Sequence, residues 1–271
     1  WMVPYLRNPH FTGRNDLLGY LQRQFAPGGV EQPTNIHHAA LTQSQAIKGL
    51  GGIGKTQTAI EYAYRAREQG RYTHTLWISA ASEEAVMSSF ASLKDWVPDL
   101  MSEEESDQRA QTNKALRWLE QCPEPWLLIY DNADDITFLS AYLPKEGQGR
   151  ILFTTRASAV GALAQSLEVD VLPLDDAIQL LLRRAGRESD ATPQEREEAS
   201  MIVLALGQFP LAIDQAGAYL EETGCGLADY LQLYQQHHFH LLARRGKQSS
   251  NYPDSVATTW SLAFKQIEEH Y

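Results

Sequence analysis

Short apolar runs alternate with helical patterns through the first two thirds of the chain. Five runs predict strands, over residues 45–50, 73–79, 126–131, 150–155 and 167–172. Between them, apolar residues at helical spacing predict helices over about 55–69, 83–96 and 107–121. Strands that alternate with helices in this way predict a parallel sheet covered on both faces, which is an α/β fold.

Beyond the fifth run the strand pattern ends and helical spacing continues. Asp175 or Asp176 is expected to cap a first helix, a second spans about 192–206, and Pro210 suits the first turn of a third. Residues 173–250 are therefore predicted to form a small all-helical domain.

Charge and composition narrow the class of partner. A net charge of −11 over 271 residues argues against a surface built mainly to bind nucleic acid or anionic lipid. No apolar run approaches the roughly 18 residues of a membrane span, and no secretory signal is present. Cys122 and Cys225 show neither metal spacing nor a disulfide framework, which favours a reducing compartment such as the cytoplasm. Because the chain starts at Trp1 and stops in an amphipathic segment at Tyr271, we expect it to be part of a longer protein.

The segment "GLGGIGKT", residues 49–56, fits the pattern G-x-x-x-x-G-K-[ST] between a predicted strand and a predicted helix. Glycines let backbone N–H groups surround a phosphate, and the helix N-terminus adds partial positive charge. Lys55 is expected to reach the β- and γ-phosphates of a nucleotide, and the Thr56 hydroxyl to ligate Mg²⁺. The expected binding residues in this loop are Gly51, Gly52, Ile53, Gly54, Lys55, Thr56 and Gln57.

Two charged residues lie at the carboxyl ends of other predicted strands. Asp131 ends the run "WLLIYD", and Arg156 follows "RILFTT". Ligands of open α/β sheets collect at the carboxyl ends of strands, so we expect Asp131 to hold the hydrated Mg²⁺ that Thr56 ligates. Arg156 suits a γ-phosphate or a bridging position at the nucleotide, and the alternative is a surface arginine. The expected catalytic residues are Lys55, Asp131 and Arg156, and the expected metal ligands are Thr56 and Asp131.

The residue after the metal-site acid bears on hydrolysis. A hydrolysing enzyme usually has a second acid there, whereas this chain has Asn132. An amide orients water but cannot accept its proton. Asp134 or Asp135 either reaches in from the following turn or caps the next helix, and we favour capping. The pattern predicts slow hydrolysis of ATP or none.

Five motifs in order, "FTGR", "GLGGIGKT", "LLIYDNADD", "ILFTTR" and "LGQFPLAI", resemble the NB-ARC family of STAND P-loop ATPases. The resemblance implies a five-stranded P-loop domain over 1–172 and a helical domain over 173–250. Over 251–271 it implies the start of a winged-helix region, in the bacterial-type subgroup that continues into tetratricopeptide repeats. It also implies that the strand before Arg156 lies between the strand of the phosphate loop and that of Asp131.

The same resemblance adds residues for the base and the ribose. The segment along the adenine and ribose, contacting them largely through backbone atoms, is Phe11, Thr12, Gly13 and Arg14. Pro210, with Leu211 beside it, matches a proline that packs against the adenine. The family pattern is Gly-Leu-Pro-Leu-Ala, and Phe209 replaces its first leucine here, which preserves an apolar contact.

Together these features predict a switch that binds ADP or ATP with Mg²⁺. The resemblance implies that ADP holds a closed form and that ATP promotes opening and self-oligomerisation, biased by a repeat sensor domain beyond Tyr271. No membrane partner and no direct nucleic-acid contact are expected from this segment. The alternatives are a continuously cycling ATPase, a small-molecule phosphotransferase, and the ATPase module of a transcription regulator.

Two other clusters favour ordinary structural roles. The histidines at 37–38 and in "HHFH" (237–240) lack partners at metal-ligand spacing, so solvated or packed histidines are expected. The basic residues of "LLARRGK" (241–247) are expected to lie at an exposed helix end, where cations are favoured, rather than on nucleic acid.

Overall fold

The structure is a computed structural model that describes residues 1–26, 43–95, 107–157 and 164–243. The chain forms two compact units. The sheet unit comprises Trp1–Leu6, Asp16–Gly49 and Thr58–Glu168. The helical unit comprises Arg7–Asn15, Leu50–Gln57 and the chain from Val169 onward.

Eight helices and five strands lie in the described parts of the chain. In chain order they are α1 (Asn15–Gln24), β1 (Gln43–Lys48), α2 (Lys55–Glu68), β2 (His74–Ser79), α3 (Glu83–Ala91), α4 (Gln108–Gln121), β3 (Trp126–Asp131), β4 (Arg150–Thr155), β5 (Gln165–Glu168), α5 (Leu174–Arg184), α6 (Pro193–Ala205), α7 (Pro210–Thr223) and α8 (Leu227–Ala243). Among these helices, none combines the length and the apolar character of a membrane span.

The five strands form one parallel sheet in the order β2-β3-β4-β1-β5. This confirms the predicted α/β fold, and β4 lies between β1 and β3 as the resemblance implied. All six residues of β3 are buried, as expected for a central strand of a parallel sheet. Because the strands are parallel, β1, β3 and β4 present their carboxyl ends at one edge of the sheet.

A tryptophan at the start of β3 fixes the position of that strand. Trp126 is fully buried, and its indole N–H donates to the carbonyl of Leu119 at 2.9 Å. Its ring lies against Gly149, the residue before β4, so closely that a Cβ at that position would overlap the ring. Farther along, Tyr130 stacks on Phe153 of the neighbouring strand with ring centroids 5.3 Å apart. Aromatic packing therefore sets the register of β3 and β4.

The fifth strand differs from its prediction. It spans Gln165–Glu168 instead of 167–172, because its pairing with β1 ends at Lys48, the last residue of that strand. Val169 and Leu172, which lie in the predicted strand, are instead buried in the helical unit. A run of apolar residues cannot show where the neighbouring strand ends.

The helical unit follows local end signals. Pro210 occupies the first turn of α7 and Gly224 ends it in the left-handed conformation, so the predicted start is confirmed. The predicted cap of α5 is wrong, because Pro173 takes the N-cap position. Asp175 and Asp176 lie in the first turn instead, where their charge faces the positive end of the helix dipole.

Candidate functional site

The phosphate loop, Leu50–Gln57, belongs to the helical unit. Gly52 and Gly54 have φ angles of +79° and +97°, a region that residues with a Cβ rarely adopt. A Cβ on Gly54 would have no heavy atom within 4 Å apart from its chain neighbours, so the space beside this part of the backbone is open. The positive φ angles explain why the motif has glycine at positions 52 and 54.

Helix α2 begins at the lysine of the motif. Lys55 is buried, with 8% of its surface exposed, and its ammonium donates to the carbonyl of Leu50 at 2.9 Å. A buried cation at a helix N-terminus produces a strongly positive environment, which favours an anion. Thr56, the expected metal ligand, is partly exposed in the first turn of the same helix.

The start of α7 packs against the phosphate loop within the helical unit. A Cβ on Gly52 would come within 2.9 Å of both the Phe209 ring and the Leu211 side chain, so glycine is required there by space as well as by angle. Phe209 and Leu211 are both buried. Phe209 was not among the predicted binding residues, although its place in the motif "GQFPLAI" signals a role.

The segment from Phe11 to Arg14 is joined to its surroundings mainly by Arg14. Its guanidinium donates to the carbonyls of Asp170 at 2.5 Å, Val171 at 3.4 Å and Ile53 at 3.4 Å. Burial lowers the pKa of Arg14, although Asp170 and Asp176 act in the opposite direction. The arginine side chain thus connects this segment to the phosphate loop and to the chain before α5.

A second arginine, which sequence reasoning missed, supports the same segment. Arg183 of α5 donates to the carbonyl of Phe11 at 3.1 Å and lies 3.4 Å from the Thr12 hydroxyl. Its remaining donors bind both carboxylate oxygens of Glu188, at 2.7 and 2.8 Å. These bonds raise the pKa of Arg183 and lower the pKa of Glu188 to about 2. No motif in the sequence marks this arginine.

In the sheet unit, Asp131 emerges from the buried strand β3 with 4% of its surface exposed. The Thr154 hydroxyl donates to its carboxylate at 2.5 Å and accepts the backbone N–H of Asn132 at 3.0 Å. Asn132 has a φ of +60°, a conformation that asparagine tolerates better than most residues. Burial, followed by the charge of Asp131, raises the pKa of Tyr5. Asp131, the predicted metal-site acid, is thus oriented by a threonine of the neighbouring strand β4.

The two acids beyond Asn132 do not cap a helix, contrary to our expectation. Asp134 accepts the backbone N–H of Arg156 at 2.5 Å, and its other oxygen lies 2.7 Å from both Nε and Nη2 of the same residue. Asp135 accepts the backbone N–H and the hydroxyl of Thr137 at 3.0 and 2.6 Å, which lowers the pKa of Asp135. Arg156 is thus bound by an acid of the same unit.

The predicted binding residues fall into two groups, one in each unit. The helical unit contains Phe11, Thr12, Gly13, Arg14, Gly51, Gly52, Ile53, Gly54, Lys55, Thr56, Gln57, Pro210 and Leu211, and the sheet unit contains Asp131 and Arg156. The base and phosphate segments therefore belong to one compact unit although they are far apart in the sequence.

One group of three metal-ligating side chains occurs in the described ranges, formed by His74, Cys122 and Glu124. His74 Nε2 lies 2.8 Å from a carboxylate oxygen of Glu124, and the Cys122 thiol contacts the carbonyl of Glu124 at 3.6 Å. These groups already bind one another, so we assign no metal there. The histidines at 37–38, the side chains of 237–240 and the residues 244–271 lie outside the described parts of the chain.

This chain is similar to several known proteins. The NB-ARC domain family matches residues 38–191. A nucleotide-binding leucine-rich repeat (NLR)-like protein of Hyaloscypha variabilis is 27% identical over 98% of this chain and 29% of its own length. Regulatory protein AfsR of Streptomyces coelicolor is 30% identical over 78% of this chain and 21% of its own length. The crystal structure of a STAND protein with a tetratricopeptide repeat sensor, from Pyrococcus horikoshii, aligns over 85% of this chain and 33% of its own, with 16% identity and a TM-score of 0.48. The chain spans less than a third of the two relatives matched by sequence.

Proposed function

Because this chain belongs to the NB-ARC family, we propose that it is the adenine-nucleotide switch module of a larger signal-transduction ATPase. The observation that supports this function best is the phosphate loop, with two glycines at positive φ and a buried lysine at the start of α2. A loop of this kind binds the phosphates of a nucleotide through backbone N–H groups and a fixed cation.

The proposed ligand is ADP or ATP together with Mg²⁺. Lys55 and the first backbone amides of α2 bind the phosphates, and Thr56 and Asp131 are the proposed ligands or water-mediated contacts of Mg²⁺. When bound, Mg²⁺ neutralises charge on the phosphate oxygens. Residues 11–14 with Pro210 and Leu211 are the proposed contacts of the adenine and ribose.

The side chains that follow Asp131 favour slow hydrolysis. Asn132 cannot accept a proton from an attacking water. Asp134 is engaged by Arg156, and Asp135 by Thr137. These carboxylates are therefore poorly suited to act as a general base, and we propose a nucleotide-dependent switch rather than an enzyme of high turnover.

In the proposed switch, ADP favours a closed form and ATP an open form that associates with further copies. The shift between the forms is as large as the difference between the affinities of each form for the two nucleotides, and no larger. The lengths of the relatives support further domains in the full protein, one of which would sense the activating signal.

Nucleotide binding is tested by calorimetry on the purified protein, stripped of any nucleotide that it carries. We expect ADP with Mg²⁺ to bind, and at about 100 times its Kd to stabilise the native state by ~2.7 kcal/mol. Lys55→Ala should abolish binding and this stabilisation, because it removes the cation beside the phosphates. The matched control is Lys145→Ala, which removes an exposed lysine of the sheet unit and should bind like the wild type. A folded wild-type protein without affinity for adenine nucleotides would exclude the proposed function.

A further inference from the structure

Arg156 is held by the carboxylate of Asp134 in the sheet unit. We propose that Asp134 determines the selectivity of the switch, because it occupies Arg156 when no third phosphate is bound and thereby biases the site toward ADP. This inference rests on the proposed function and on the contact of Arg156 with the γ-phosphate of ATP that the sequence predicts.

Both members of the Asp134–Arg156 pair are attached to the edge of the sheet by further hydrogen bonds. The Asp134 carboxylate binds the main chain of Arg156 through one oxygen and the guanidinium through the other. The Asp134 turn is itself attached to β4, since the N–H of Ala133 donates to the carbonyl of Thr154 at 2.8 Å. The neighbouring Thr155 hydroxyl lies 3.4 Å from the Asp134 carboxylate. Arg156 is therefore held in a defined orientation by its own strand and by the turn after β3.

A γ-phosphate would compete with Asp134 for the same donors. Nε and Nη2 form one edge of the planar guanidinium, and this edge faces Asp134 Oδ2 at 2.7 Å. That edge also suits paired bonds to phosphate oxygens. ADP lacks the third phosphate and leaves the pair intact, so only ATP has to displace the carboxylate.

Because both side chains are partly exposed to solvent, the ion pair between Asp134 and Arg156 can open and form again. The Arg156 side chain is 45% exposed and that of Asp134 is 29% exposed, so water screens the attraction. A pair of this kind biases the choice between nucleotides without preventing ATP from binding. If the pair were only structural, its loss would affect ADP and ATP equally.

The experiment compares ADP with a non-hydrolysable ATP analogue, both with Mg²⁺, by calorimetry on wild type and Asp134→Asn. Asparagine keeps an oxygen for the Arg156 backbone N–H and removes the charge that binds the guanidinium. We expect the Kd of the ATP analogue to fall about three- to tenfold while the Kd of ADP changes less than about twofold. The ratio of the two affinities is a readout that a general loss of stability does not change selectively.

Two further variants test whether the effect comes only from the loss of a negative charge, and whether it requires Arg156. Asp135→Asn removes one negative charge from the same turn, but Asp135 binds Thr137 instead of Arg156, so the affinity ratio should stay within about twofold of wild type. In an Arg156→Ala background, Asp134→Asn should produce no gain for the ATP analogue, because the cation that it releases is missing.

The outcomes separate this inference from the proposed function. Wild-type protein that binds neither nucleotide would overturn both. ADP binding with an unchanged affinity ratio in Asp134→Asn would overturn the selectivity role alone. A gain that persists in the Arg156→Ala background, or that Asp135→Asn reproduces, would also overturn it, because the effect would then not act through Arg156.

Discussion

The carboxylates around the turn after β3 show how neighbouring donors decide the role of a single residue. Asp131, Asp134 and Asp135 lie within five positions, yet one binds Thr154, one binds Arg156 and one closes a local turn at Thr137. Each donor except that of Thr137 comes from β4 or the residue after it. Sequence reasoning placed Asp131 at the strand end, but it did not pair Asp134 with Arg156, because the two residues lie 22 positions apart in the chain.

Glu188 is another carboxylate whose properties depend on a neighbouring donor, and it leads to a prediction about how stability changes with pH. Hydrogen bonds from Arg183 and, second, from Gln179 lower the pKa of Glu188 from its ordinary value of 4.5 to about 2 in the folded state. The resulting stabilisation is present above about pH 4.5, and it is lost as the pH falls toward 2, because the folded state then has to take up the proton that the unfolded state already carries. Glu188→Gln should therefore lower the melting temperature at pH 7. The difference in melting temperature between this variant and the wild type should become smaller as the pH falls from 4.5 to 2.

Thermal unfolding followed by circular dichroism across that pH range measures the difference. Glu197→Gln is a suitable control, because Glu197 is exposed in the middle of α6. A constant difference between wild type and Glu188→Gln down to pH 2 would show that the ion pair does not contribute through this carboxylate.

At the scale of elements, patterns that are complete within a few residues were predicted well. The buried strands β3 and β4, the glycine turn before α2 and the proline at the start of α7 match their predictions. One prediction that failed needed information from a distant partner, because β5 ends where its pairing with β1 ends, at Lys48. The failed cap of α5 was a local error, since the N-cap is Pro173, directly before the helix.

The packing around two glycines predicts that replacing each by alanine changes the free energy of unfolding in opposite directions. Gly149→Ala should lower the free energy of unfolding by about 1–3 kcal/mol, because the new methyl group would overlap the Trp126 ring. Gly19→Ala, in the middle of α1, should raise it by about 0.5–1 kcal/mol, because alanine favours a helix and the nearest atom is the end of the flexible Arg23 side chain. Urea unfolding measures both. Equal effects at the two positions would show that Trp126 does not fix β3 as described.

At the scale of the whole molecule, the predicted nucleotide residues divide between the two units. The phosphate loop could be recognised from the sequence because its glycines and lysine are consecutive. Arg183 could not be assigned in this way, since no motif marks it and its contact with Phe11 joins segments more than a hundred residues apart. For Phe209 the motif indicated an apolar contact, but not that Gly52 lies against it.

The rate of ATP hydrolysis distinguishes the proposed switch from the alternative of a continuously cycling ATPase. We expect steady-state phosphate release well below about one per second, the lower end of ordinary enzyme rates, because Asn132 follows Asp131, the proposed metal-site acid. Asn132→Asp, which restores a proton acceptor, should increase the rate, and Asn132→Ser serves as a control without a carboxylate. Wild-type turnover near one per second would instead support a continuously cycling enzyme.

The contact of Gly52 with Phe209 and Leu211 also restricts how this protein can diverge. Two motifs that are far apart in the sequence fill one volume, and a methyl group added at position 52 has no room while both apolar side chains remain. A related sequence that gains a side chain at this position must therefore change the backbone angle of the loop and also lose bulk at the start of α7. The two positions are expected to covary and to be inherited as a pair.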